Sequence, residues 1–158
     1  MVKQDENIVE ELENSFQKLK SELRFKCSLE ELDKSFSITD NILSQGYVAE
    51  DLFLQISRRI SDYYNGWANY LHSFILPNPH NMINVSESKV FSEEDRKEIL
   101  KFISSLMVYV SWSTRNMFGT SEKDKAKYIE QSFEFWDKTF KDKMIYFMDK
   151  LLEGWKKN

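Results

Sequence analysis

Between Ser121 and Trp155, large apolar residues recur at steps of three or four: Ile129, Phe133, Trp136, Phe140, Met144, Phe147, Leu151 and Trp155. A period of 3.6 residues places them all on one face of a helix. Glu130, Glu134, Asp137, Lys138, Lys141 and Asp142 fall between them and cover the opposite face. No proline interrupts the run, and its one glycine, Gly154, stands near the end. A helix over 121–155 spans roughly 50 Å at about 1.5 Å per residue. Burying such a stripe takes partners of similar length, which directs the chain toward a helical bundle.

The rest of the sequence supplies those partners. Ile8, Leu12, Phe16, Leu19 and Leu23 mark a helix over about 5–25, with Asp5 and Glu6 at its positive end. Ser28 and Glu31 form a capping box that starts a shorter helix, with a break near Cys27 before it and Gly46 as its left-handed stop. Leu52, Ile56, Ile60, Tyr63, Trp67, Tyr70 and Phe74 give a long helix over about 49–75, closed by Pro77 and Pro79. Residues 77–90 form the one long irregular connection. Met82, Ile83, Val85 and Val90 imply that it lies packed across the bundle. Ser92, followed by Glu93, Glu94 and Asp95, opens a helix that runs to Gly119. The middle of that helix, FISSLMVYVSW, is apolar nearly all round and reads as the most buried of the set. The expected fold is all-α: one domain over 1–158, an antiparallel up-and-down bundle of four long helices and one shorter one. Four glycines and two prolines in 158 residues fit long helices with few turns.

Charge and cysteine content narrow the function. A formal net charge of −4 argues against nucleic acid, whose phosphates call for a lysine and arginine surplus. The acid excess is confined to residues 1–51, with twelve acids and six bases. That stretch is a solvated face or a surface for a basic partner. Cys27 is alone, so neither an internal disulfide nor a cysteine-based zinc site can form. A charged start and the lack of a membrane-length apolar run point to a cytoplasmic protein away from membranes.

No standard catalytic or cofactor motif is present. Neither His72 nor His80 has a glutamate three residues before it, which excludes the Glu-x-x-His di-iron pattern. HExxH, Walker A and Gly-rich dinucleotide sequences are also missing, so no cofactor is implied. Three sets of polar residues remain. Arg58, Asp62, Asn65, Asn69 and His72 share a face, where a histidine near acid and amide groups could bind an anion or act as a base. The competing reading is the solvent side of an amphipathic helix. Arg115 closes the most apolar helix, either to mark a ligand site or to meet that helix's free carbonyls. Glu130, Glu134 and Asp137 could hold Mg²⁺ through carboxylate oxygens, or pair with Lys138 and Lys141 on a solvated face. Glu134-Phe135-Trp136-Asp137 resembles the ExxD element of helical nucleotide pyrophosphohydrolases. Their companion EExxE is broken here, because Asn14 stands where its last glutamate belongs.

Aromatic residues make up 15% of the chain, more than one core stripe needs. Tyr128, Phe135, Ile145, Tyr146, Met148 and Leu152 form a second large set on the C-terminal helix. Either that helix is central, or its second face meets another subunit. The expected function is non-catalytic, through self-association as a homodimer and binding of a protein partner. The alternative is a ligand-binding or metal-dependent bundle enzyme using the stripe from Arg58 to His72 or the carboxylates at 130–137.

Overall fold

The computed structural model describes residues 1–157, and among them every regular element is helical. Helix α1 (Val2–Leu23) ends where Arg24 turns left-handed at φ 61°. Helix α2 (Leu29–Phe36) starts on the expected capping box, in which Ser28 accepts from the Glu31 amide and Glu31 accepts from the Ser28 amide. Helix α3 (Ile38–Gln45) ends at Gly46, whose φ of 85° a side chain would resist. Helix α4 (Leu52–His72) is capped by Asp51, and the short α5 (Met82–Ser88) by Asn81. Helix α6 (Glu93–Asn116) begins on a second capping box, Ser92 with Asp95. Helix α7 (Glu122–Phe135) passes through a π turn (Trp136–Phe140) into α8 (Lys141–Lys156).

Four expectations need correction. The helix predicted over 28–46 is two helices, parted at Ser37, which is left-handed at φ 53°. Asp33 supports that corner: its carboxylate accepts from the Thr39 amide and the Thr39 hydroxyl, each at 2.7 Å. The C-terminal rod is unbroken but not uniformly α, because the Lys141 amide reaches back to the Trp136 carbonyl, one residue beyond α spacing. The 77–90 connection contains a helical turn. Its far end packs as expected, with Val85 and Val90 half-buried and the next residue, Phe91, on Phe74 at 4.8 Å, but Met82 and Ile83 stand in solvent. Finally, α4 is the most buried helix, while α6 brings Leu100 and Val108 to the surface. Position in the bundle decided this, since α4 has neighbours on several sides.

The directions follow from side-chain pairs. Ser57 meets Ser113 and Phe74 meets Phe91, so α4 and α6 are antiparallel. Trp112 meets Tyr128, Phe102 meets Phe140, and Lys150 meets Asp95, so α7 and α8 run back along α6. Helices α1, α2 and α3 form a layer over α4, and α1 also packs on α7. Phe36, fully buried at the end of α2, enters between Tyr63, Tyr64 and Trp136 at ring distances of 5.5–6.0 Å. Burying one such ring contributes about 1.5–3 kcal/mol.

Candidate functional site

The polar stripe of α4 lies outside the core. Arg58, Asp62, Asn65, Asn69 and His72 are all exposed. Arg58 and Asp62 do reach the rim of a recess of about 250 Å³, where residues Asn41, Gln45 and Tyr47 cross α4. Arg59, beside them, is half-buried and donates through Nε to the Phe36 carbonyl at 2.7 Å, closing the end of α2. The floor of the recess is Gln55. Its amide nitrogen donates to Gln45 Oε1 at 2.7 Å and to the Tyr47 carbonyl, and its oxygen accepts from the Ala49 amide. Gln55 therefore fixes the loop that enters α4. Asn65, Asn69 and His72 continue along open surface and share no enclosure with Arg58 and Asp62.

The other two candidates already have partners within the chain. Arg115 is exposed and donates to the Gly119 carbonyl at 2.7 Å, an end-of-helix contact. Glu130 accepts from the Lys26 amide at 3.0 Å and so anchors the turn between α1 and α2. Glu134 pairs with Lys138 at 2.7 Å and Asp137 with Lys141 at 2.9 Å. Among the described residues, no three histidine, cysteine, aspartate or glutamate side chains are grouped to hold a metal ion.

Helix α8 has the most distinctive surface. A helix advances about 100° per residue, so its sides are readily separated. Phe147 and Leu151 point inward, Phe147 against Phe91 and Phe102 at 6.2 Å. Lys143 and Lys150 turn toward α6 and pair with Glu98 and Asp95 at 3.7 and 2.6 Å. Lys150 first, and then the Ser92 amide, hold the Asp95 carboxyl below its usual range. Beside this charged flank, Val90, Tyr146, Asp149 and Gly154 help to line a cavity of about 630 Å³. On the other flank the chemistry changes. Met148 is half-buried, and Ile145, Leu152 and Trp155 are 58%, 53% and 44% exposed.

No protein-family model matches the chain, and no curated protein or solved structure matches it either. The face itself carries a pattern. Ile145, Met148, Leu152 and Trp155 are spaced three, four and three residues apart, the seam along which one helix packs on another. Part of the second apolar set is absorbed within the chain: Tyr128 is fully buried and Phe135 packs on Tyr109 at 5.0 Å. Tyr146 leans on the charged flank, its hydroxyl 3.4 Å from Asp95. Trp155, expected on the inner face, joins the outer seam instead. Trp155 lies about 80° round the helix from buried Phe147, on the side of Leu152, and so falls outside the core face of α8.

No helix among the described residues is long and apolar enough to cross a membrane.

Proposed function

We propose that the protein acts by association rather than catalysis, binding a second copy of itself through the outer seam of α8. One observation carries this reading: three large apolar side chains on one helix, each about half exposed, continue the core stripe out to the surface. A lone exposed apolar residue needs no explanation, but a run of them edging the core resembles a dimer interface cut open. Two-fold pairing is the commonest way such a face is covered. The lone buried thiol of Cys27, pushed up to about 11 mainly by burial, suits the reducing cytoplasm and offers no reactive nucleophile. The ligand-binding alternative has weaker support, since the polar stripe on α4 offers only Arg58 and Asp62 to the recess over Gln55.

Sedimentation velocity across micromolar to near-millimolar protein is the test. A rise from monomer to dimer is expected, with Leu152→Glu remaining monomeric and still helical. A parent chain that stays monomeric throughout, or a Leu152→Glu variant that dimerises as well as the parent, removes the proposal.

A further inference from the structure

We infer that the two copies pair α8 against α8 in the antiparallel sense, with the two-fold axis passing close to Asp149. This rests on the self-association proposed above and adds its direction. The seam of Ile145, Met148, Leu152 and Trp155 is bordered on its solvent side by Asp142, Asp149 and Lys156, all exposed and spaced seven apart. That border is acidic toward the start of α8 and basic at its end. In a parallel two-fold pair the axis runs along the helices and carries this border to opposite sides of the interface, so Asp142 and Lys156 of one copy meet neither residue of the other. Reversing one helix instead brings Asp142 level with Lys156 of the second copy, and symmetry makes the contact twice. Along the seam the same register sets Ile145 beside the second copy's Trp155 and Met148 beside its Leu152, so each layer joins large side chains.

Two features of this arrangement have costs. Lys156 already lies 3.3 Å from Glu153, but both side chains are more than half exposed, and such a pair holds its lysine weakly. Asp149 falls on the axis and meets its own copy, a like-charge contact in the middle of the interface. The antiparallel arrangement therefore has two favourable contacts and one unfavourable one, and each can be altered separately. A hydrophobic partner of another kind would read the seam but not this pattern of charge.

Charge exchange in this chain decides it, with the dimer dissociation constant read by sedimentation equilibrium and folding checked by circular dichroism. Asp142→Lys alone, or Lys156→Asp alone, converts two attractions into two repulsions and is expected to raise that constant about tenfold. The double variant restores both contacts and should return to within about twofold of the parent. Asp149→Asn should tighten the dimer about twofold to threefold by removing the axial repulsion. If the parent dimerises but the double variant is weaker than either single variant, antiparallel pairing is overturned and self-association stands. If the parent never dimerises, both proposals fall together.

Discussion

Hydroxyl groups meet at full burial where α4, α6 and α7 cross. Ser57 and Ser113 share a bond of 2.7 Å, Tyr64 donates to the Ser132 carbonyl at 2.7 Å, and Tyr128 donates to the Ser57 carbonyl at 3.3 Å. Burial pushes the Tyr128 phenol up to about 12, against the lowering influence of the adjoining Ser57, and drives Tyr64 further in the same direction. Unfolded tyrosine ionises near its ordinary value of 10.0, so at alkaline pH the native chain holds protons that the unfolded chain has lost. The stability Tyr128 contributes is intact below pH 10 and is lost as pH climbs toward 12, while that of Tyr64 goes on falling above it. Tyr128 alone accounts for about 3 kcal/mol across that window, at roughly 1.4 kcal/mol per pH unit. Urea unfolding at pH 8, 10 and 11 should show the loss, and Tyr128→Phe should reduce it to the part that Tyr64 carries. Equal slopes for parent and variant would refute the assignment. A second residue-scale expectation concerns the corner at Ser37. Asp33→Ala removes both bonds to Thr39 and should cost about 1 kcal/mol, read by thermal unfolding. Caps were legible from sequence: Ser28, Ser92 and Gly46 stand where their conformational preferences put them. The hydroxyl crossing was not, because a serine within a helix looks the same in sequence whether it faces solvent or a neighbouring serine.

At the scale of elements, the π turn explains how one rod serves two halves of the core. Before it, α7 buries Tyr128, Ile129 and Ser132; after it, α8 buries Met144, Phe147 and Leu151. Across the turn Trp136 and Phe140 share a face and stack at 4.6 Å, where they meet Tyr63 at 5.3 and 6.5 Å. Deleting exposed Thr139 should convert the turn to ordinary α-helix. It should keep α8 in register, since 3.6-residue spacing then joins the two buried faces. Inserting an alanine after Lys143 instead rotates Phe147 and Leu151 by about 100° out of the core. The expected outcome is a folded deletion and a grossly destabilised insertion by circular dichroism; the reverse order would sink this account of the turn. Gly154 gives a second element-scale prediction. A Cβ there would stand 2.5 Å from Val90 Cγ2, so α8 and the end of the 77–90 connection are in close contact. Gly154→Ala gains about 1 kcal/mol of helix propensity but forces an overpacking cost of about 1–3 kcal/mol. A net loss is expected, reversed to a net gain when Val90→Ala makes room. The long helices were legible because their stripes repeat for many turns. The split of 28–46 was not, since its cause is the aspartate–threonine contact rather than a glycine or proline, and α5 was too short to show a period.

For the whole molecule, an uneven covering matters most. The layer of α1, α2 and α3 lies over α4, with α1 also on α7, whereas the outer seam of α8 is left with Ile145, Leu152 and Trp155 in water. The all-helical class and the excess of aromatic residues could be read from the sequence, but not which excess stays inside. Tyr128 and Ile145 look alike as off-stripe residues, and only the position of the covering helices sends the first inward and the second outward. If a second copy covers that seam, folding and pairing are linked, and stability must depend on how much protein is present. For a native dimer that unfolds to separate chains, each tenfold rise in concentration adds about 1.4 kcal/mol per dimer. Midpoints of thermal unfolding at about 5 and about 500 μM should therefore differ by several degrees in the parent chain. They should coincide in Leu152→Glu, which folds without a partner. A parent midpoint unmoved across that hundredfold range would mean that the exposed side of α8 contributes nothing to the stability of the folded state, and the dimer would lose its thermodynamic basis.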